Sequence, residues 1–595
     1  MSPGQAAPRG TIEPHATDCI WYASYPPDVA REIDPSRYRS LAHFFDECVG
    51  RFRDRVAFVS LGTEMRFAAL GDKAHAFASY LQACGVKPGD RVALMMPNTL
   101  AYAVALFGTL LAGAIVVNVN PLYTVRELSH QLKDSGAQTI VVFENFARTV
   151  QNAQPGSRLR NIVVTGLGDL LGDGLNLKGR AIDLILRHVK KQVPAYSLPD
   201  AVRLPQALAR GARRPFDPVR IGHGDIAFIQ YTGGTTGTAK GAMLTHRNVI
   251  ANVLQALAWA RGRLVDEKEI VVTPLPLYHI YSLTVNALSF LSIGARNVLI
   301  VNPRDIRALM RALRHENFTA ITALNTLYSA LMDNEAFRTR DFSALKLAMA
   351  GGMATQRAVA ERFRAMTGQT LVEGYGLTEC SPLVCATPLD VRNALNAPDA
   401  PDKHGPHAFD GTIGLPVPST YVRMRRDDGT WADIGEAGEL CVQGPQVMKG
   451  YWNRPEETAK VIDGNGWLAT GDIAVMDARG VIRLIDRKKD MMIVSGFNVY
   501  PNEIEDVLAA HPKVRTVAAI GVPDPVTGER VKVFVVKRDE SLSVEELLKF
   551  ARLHLTGYKV PAFVEFRDSL PQTTIGKVLR RELRDAHEAG SKPQD

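Results

Sequence analysis

Eleven residues, Tyr231 to Gly241, read Tyr-Thr-Gly-Gly-Thr-Thr-Gly-Thr-Ala-Lys-Gly and hold four glycines, four threonines and one lysine. Backbone amides freed by glycine, hydroxyls and a single cation suit the wrapping of polyphosphate. The Walker pattern needs Gly-Lys-Ser/Thr in succession, whereas Lys240 follows Ala239 and precedes Gly241, which excludes the P-loop NTPase reading. A phosphate loop of another kind remains. Ahead of it Ile226 to Ile229 is a short apolar run of strand type; behind it Asn248 to Ala260 is apolar at helical spacing, with Thr245 as candidate cap. Strand, glycine loop and helix would present amides to an anion. The competing reading, a flexible linker, leaves unexplained the threonine pairs and a lysine between a buried strand and a helix.

Such a loop needs a scaffold. A chain of 595 residues implies two or more domains, and 46% apolar with 22% charged residues is globular composition. A net charge of +8 suits nucleic acid, anionic lipid or phosphorylated ligands alike. No long Lys/Arg block or zinc-type spacing accompanies it, so nucleic acid is not an expected partner. Cys19, Cys48, Cys84, Cys380, Cys385 and Cys441 show no paired C-x-x-C spacing, which points to a reducing compartment and hence the cytoplasm. Met1 to Thr17 lacks the apolar run of an export signal. Ala101 to Val117 imitates a membrane span, but Gly108 and Gly113 interrupt it and Asn118 and Asn120 follow. Its β-branched end, Ile115-Val116-Val117, reads as a buried helix running into a buried strand.

The expected order is helix Leu41 to Phe52, strands Arg55 to Leu61 and Met65 to Phe67, helix Ala74 to Cys84 and strand Arg91 to Met95. Helix Ala101 to Leu111, strand Ala114 to Asn118, helix Val125 to Ser135 and strand Thr139 to Phe143 follow, an alternation that predicts a wound α/β sheet. From about residue 150 to 222 the rhythm breaks into an expected insertion rich in Gly, Pro and Arg. Within it Ile182, Ile185, Leu186, Val189 and Val193 recur at helical spacing beside Arg180, Arg187, Lys190 and Lys191. That pattern fits a basic amphipathic helix on an anionic membrane face or, alternatively, a helix docked on its own domain. Gly414 to Gly444 has the short, glycine-bounded strands of a small β region, and the chain after Asp486 reads as a compact α+β domain. The predicted class is α/β: a large N-terminal domain of wound α/β subdomains with a small β region, residues 1–485, and a smaller C-terminal α+β domain, residues 486–595.

Four further motifs follow the loop in order: Glu373-Gly-Tyr-Gly-Leu-Thr-Glu379, Gly466-Trp-Leu-Ala-Thr-Gly-Asp472, Asp486-Arg-Lys-Lys-Asp490 and Pro571-Gln-Thr-Thr-Ile-Gly-Lys577. Together they resemble the adenylate-forming (acyl-CoA synthetase) superfamily over roughly residues 40 to 585, and most of all its long-chain fatty-acid CoA ligases. The resemblance implies ATP, magnesium and CoA with a fatty acid as substrate, joined through an acyl-adenylate. Joining a carboxylate to the α-phosphate brings two anions together, so cations must neutralise charge first. By resemblance, Thr232, Gly233, Gly234, Thr235, Thr236, Gly237 and Lys240 hold the β and γ phosphates. Thr232 and Glu379 bind magnesium, and Thr378 touches phosphate. Tyr375 stacks on adenine where Gly351 and Gly352 let the base approach the backbone; Asp472 and Arg487 take the ribose. Lys577 reaches the reacting carboxylate and α-phosphate, and His279 stands beside the acyl pocket and gates the carboxylate, unless it is a structural histidine. Gly496 leaves room for the pantetheine arm of CoA, and Asp486 is the implied hinge. Gly233 stands where many relatives have serine and Ala239 where many have proline; both changes keep the backbone and the cation.

Two competing functions remain at this level: a CoA ligase for medium-chain or aryl acids, and a non-catalytic lipid-binding protein on the same fold. The second is disfavoured because Lys240, Glu379, Asp472 and Lys577 are all present. An amino-acid activator is disfavoured because the sequence ending at Asp595 leaves no space for a carrier domain. A homodimer and a peripheral contact with the inner face of the cytoplasmic membrane are left open.

Overall fold

The stretch that imitates a membrane span is the middle of the core. It forms the helix Leu100–Leu111, whose first turn is capped by Thr99 accepting the Tyr102 N–H, and then the strand Ile115–Asn118; all twelve helical residues are buried. The computed structural model describes residues 19–172, 176–232, 239–389, 409–495, 497–573 and 576–590. Among these no helix is long and apolar enough to cross a membrane. Instead Leu100–Leu111 lies in the largest apolar cluster, which takes Phe58 from one sheet and Val92 and Leu94 from another. Phe107 stacks on Phe45 with ring centroids 4.1 Å apart. Helix Phe67–Ala83 comes so close that a Cβ on Gly108 would sit 2.8 Å from the Ala74 carbonyl oxygen.

Two large sheets flank this core. Nine strands run in the order Leu415–Pro416, Leu383–Ala386, Leu371–Gly376, Leu347–Gly351, Ala320–Ala323, Ile270–Thr273, Arg296–Leu299, Val56–Ser60 and Thr63–Arg66. Eight run in the order Gly450–Tyr451, Lys240–Thr245, Ile226–Thr232, Ile115–Asn118, Arg91–Met95, Thr139–Phe143, Asn161–Thr165 and Val202–Arg203. The nine-stranded sheet is parallel at its centre and antiparallel at both ends, whereas the eight-stranded sheet is antiparallel only at its Gly450–Tyr451 end. Runs such as Ile115-Val116-Val117 and Ile140-Val141-Val142 are strands because a parallel sheet covered on both faces buries every side chain. The expected small β region is an antiparallel sheet of Tyr421–Arg425, Ala437–Gln443, Leu468–Met476 and Ile482–Arg487. The smaller C-terminal domain builds its own sheet from Met492–Val494, Phe497–Val499, Val514–Asp524, Gly528–Lys537 and Phe563–Phe566, backed by helices Pro501–Ala509 and Val544–His554. The molecule is thus the mixed α/β, two-domain fold expected.

Three sequence expectations are corrected. The glycine loop does not lead into a helix: the chain returns as strand Lys240–Thr245, antiparallel to Ile226–Thr232, with Lys240 opposite Thr232. Helix His246–Trp259 begins after that strand, where Thr245 and Asn248 cap each other reciprocally. The returning strand is buried on both faces over most of its length, so no alternation marks it. Residues 150–222 are not wholly an insertion, because Asn161–Thr165 and Val202–Arg203 extend the eight-stranded sheet in parallel. The intervening excursion is held by Arg203, which reaches Glu144 at 3.0 Å, Asp169 at 3.2 Å and Asp183 at 3.7 Å. The helix expected from Ile182 to Val193 starts earlier, at Leu177 behind the Asn176 cap, and after Leu184 loosens into a π turn, Ile185–Val189.

Candidate active site

The carboxyl ends of the parallel strands in both sheets open on one cleft of about 2120 Å³, the crevice where α/β folds bind ligands. Thr232, Lys240, His279, Gly352, Tyr375, Thr378, Glu379, Asp472, Arg487 and Lys577 all line it. Gly351, which ends the strand beside Gly374, has no room for a side chain: a Cβ would lie 2.7 Å from the Gly374 carbonyl oxygen. Gly233, Gly234, Thr235, Thr236, Gly237 and Gly496 lie outside the described residues.

Asp472 is buried in strand Leu468–Met476 and engaged through both oxygens. Tyr375 donates its hydroxyl to Oδ2 at 2.6 Å, and Arg487 Nε stands 3.1 Å from Oδ1. Arg487 faces Asp472 because the strands that carry them are antiparallel neighbours in register at that pair. Glu379 sits on a 3-10 turn after strand Leu371–Gly376 and accepts the Tyr451 hydroxyl at 2.7 Å. Lys240 lies 5.2 Å from the centre of the same Tyr451 ring and is ion-paired with Glu457. Among the described residues no group of three or more His, Cys, Asp or Glu side chains could hold a metal. The donors that Thr232 and Glu379 offer are one hydroxyl and one carboxylate, hard oxygens that fit magnesium shared with phosphate and water.

Lys577 enters from the C-terminal domain. Its backbone is fixed by Thr573, whose hydroxyl accepts the Lys577 N–H at 3.1 Å and whose N–H donates to the Lys577 carbonyl at 2.7 Å. Gly576, at φ +90°, lets this turn press on the large domain, since a Cβ there would meet Thr326 Oγ1 at 2.7 Å. Burial and then the nearby Arg487 lower the Lys577 ammonium to about 7, against the pull of Asp472. Burial, helped by Lys577, lowers His279 to about 4, so its ring is neutral at physiological pH. Its Nδ1 accepts the Tyr281 N–H at 3.3 Å, which assigns the ring proton to Nε2.

Several residues in or behind the cleft escaped the sequence reading. Asn98 clasps the His279 segment by accepting the Leu277 N–H at 2.7 Å and donating to the Leu275 carbonyl at 2.8 Å. Gln230 accepts from Asn118 at 3.1 Å and donates to the Tyr278 carbonyl at 2.6 Å. Glu373 is buried with one oxygen on the Thr355 N–H at 3.2 Å, and burial raises it to about 8. Its second oxygen and the Tyr281 hydroxyl have no hydrogen-bond partner among the described residues. Gln230 and Glu373 lie inside apolar strands and Asn98 in the bend between a strand and a helix, and residue type alone carries no signal of where they point. Asp486, the implied hinge, accepts the Asn502 N–H at 2.9 Å and is raised to about 6, chiefly by burial.

The geometry therefore offers a carboxylate beside a tyrosine, a second carboxylate beside a hydroxyl, and two lysines converging on one cavity, the needs of nucleotide polyphosphate chemistry. The model of the AMP-binding enzyme matches residues 45–452, and that of the AMP-binding enzyme C-terminal domain matches residues 503–577. The long-chain-fatty-acid CoA ligase of Escherichia coli O157:H7 is 53% identical over 567 residues, 95% of this chain and 98% of that protein. That of Haemophilus influenzae is 50% identical over 569 residues, again 95% and 98%. The crystal structure of the anthranilate CoA ligase AuaEII in complex with anthranoyl-AMP shares the fold with a TM-score of 0.80 at 23% identity, covering 94% of this chain and 100% of that one. The chain belongs to the AMP-binding enzyme family.

Proposed function

We propose that the protein is an AMP-forming fatty-acid CoA ligase with long-chain acids as substrates. It uses ATP, magnesium and CoA. The observation that carries this reading is that Lys577, from the C-terminal domain, lines the same cleft as Asp472, Glu379 and Lys240, on a protein half identical along its length to long-chain-fatty-acid CoA ligases. In the first step a carboxylate oxygen attacks the α-phosphorus and pyrophosphate leaves; in the second the CoA sulfur attacks the acyl carbon and AMP leaves. Asp472 and Arg487 orient the ribose, Tyr375 stacks on the base, and Gly351 and Gly352 open the backbone to it. The glycine loop and Lys240 hold the outer phosphates, and Thr378 touches phosphate. Thr232 and Glu379 would hold magnesium, which would supply positive charge to the phosphates. Lys577 stabilises charge where the two anions meet. Neutral His279 directs its Nε2–H as a donor beside the acyl carboxylate. The division at residues 485 and 486, with rotation about Asp486, would bring Gly496 to the pantetheine arm. A screen of acids of graded length and of aryl acids with ATP and CoA, following AMP release, tests this. Long-chain acids should give the highest kcat/KM; preference for an aryl acid would contradict it.

A peripheral membrane contact is the second reading, favoured by one patch. Leu177, Leu184, Ile185 and Val189 are 71%, 61%, 45% and 75% exposed, beside Arg180, His188, Lys190 and Lys191. Arg187 is not free for lipid, because it pairs with the buried carboxylate of Glu144. Replacing Leu184, Ile185 and Val189 with serine should lower sedimentation with anionic vesicles at low salt, and unchanged sedimentation would exclude this contact. A homodimer is compatible with the same chemistry, and sedimentation velocity reads it directly.

A further inference from the structure

The phosphate lysine is already occupied by an anion of the protein. Lys240 Nζ pairs with Glu457, and the other oxygen of Glu457 accepts from Lys460. This is a built contact. Strand Gly450–Tyr451 pairs with Lys240–Thr245 at Gly450 with Met243 and Tyr451 with Ala242, which fixes the floor under Lys240. The Tyr451 N–H donates to Thr458 Oγ1 at 2.9 Å, tying helix Pro455–Val461, and with it Glu457, to that strand. Lys240 is thus held between the Tyr451 ring and the Glu457 carboxylate, and the Tyr451 hydroxyl in turn holds Glu379.

We infer that Glu457 is an internal stand-in for phosphate: it neutralises Lys240 before ATP binds, yields it to ATP, and reclaims it as pyrophosphate leaves. This rests on the assignment of Lys240 to the outer phosphates. Hydrogen bonds from Lys240 and Lys460 hold the Glu457 carboxyl near 2, so it is an anion throughout the working pH range. Because Lys460 contacts the other oxygen, Glu457 is not left unpaired when polyphosphate takes Lys240. The Lys240 and Glu457 side chains are 33% and 28% exposed, so the contact is screened by solvent and can be displaced, unlike a fully buried pair. The acid therefore weakens both ATP and pyrophosphate binding, and it favours release of the first product.

The test uses the full-length enzyme with ATP and inorganic pyrophosphate as probes. Glu457→Gln and Glu457→Ala should each lower the KM for ATP and the product-inhibition constant for pyrophosphate, by roughly two- to fivefold, the range expected of a partly exposed ion pair. In a Lys240→Gln background the same changes should have no effect. Constants that stay the same or rise in the otherwise unaltered enzyme would overturn the inference, a rise marking Glu457 as a support for Lys240. If Lys240→Gln alone leaves both constants unmoved, the phosphate assignment fails; if it raises them while the Glu457 variants change nothing, only the inference about Glu457 fails.

Discussion

Tyr375 donates its hydroxyl to Asp472 at 2.6 Å across 97 residues of chain, and that bond links the strand before the Thr378-Glu379 turn to the small β region. With Arg487 on its other oxygen, the carboxylate is held in one orientation, ready for the ribose that we propose it takes. Hydrogen bonds to a charged group contribute about 1.5–3 kcal/mol. Asp472→Ala is therefore expected to raise the KM for ATP in adenylation roughly ten- to hundredfold while leaving the KM for fatty acid nearly constant. Steady-state kinetics with each substrate varied in turn checks this, and an equal rise for both would mean general damage to the cleft.

The pH dependence follows from Lys577. In the substrate-free cleft its ammonium titrates near 7, so it carries charge below that value and loses it above. Adenylation kcat/KM, which reports the free enzyme, should fall as pH rises through about 7, whereas kcat should change less because bound anions retain the proton. Binding of ATP and acid at pH 8 should take up a proton, visible as a dependence of the binding heat on buffer ionisation. The effect on stability has the opposite sense to that of a paired lysine. Because the folded value lies below the unfolded one, burying this charge costs most below 7, and the cost fades as pH rises toward 10.5.

Helix Leu100–Leu111 is expected to behave as core. Phe107→Ala removes a ring stacked at 4.1 Å on Phe45 and should destabilise the large domain by about 3–5 kcal/mol. Denaturant unfolding followed by tryptophan fluorescence measures the shift in midpoint, and a change of under 1 kcal/mol would place the helix outside the packed core.

How much of this was legible in the sequence varies with the local physics. Ala101 to Val117 divided correctly because glycine and asparagine punctuate it and the β-branched run begins where the strand does. Thr245 was identified as a cap because it stands before a periodic apolar run. The hairpin return Lys240–Thr245 was missed since burial on both faces erases alternation, and a glycine, Gly241, sits in it where a Cβ would approach Ile229 Cγ2 to 2.5 Å. Arg187 looked like one of four lipid-facing cations, yet its partner Glu144 comes from 43 residues away, a distance no periodicity reports. Ordered motifs carried the cleft residues, while Glu373, Gln230 and Glu457 matter only through neighbours brought in by the fold.

If Gly496 leaves room for the pantetheine arm, as proposed, Gly496→Leu should obstruct thioester formation and spare pyrophosphate exchange. Parallel assays of exchange and of acyl-CoA production check it; equal loss in both would make Gly496 a structural position.

Lys577→Ala, assayed in separate half-reactions, tests the central claim most directly. Removing one preorganised charge-stabilising group should slow acyl-adenylate formation by roughly 10²- to 10³-fold, while CoA thioester formation from preformed acyl-adenylate continues near its original rate. Equal losses in both half-reactions would contradict the account, as would an unimpaired first step.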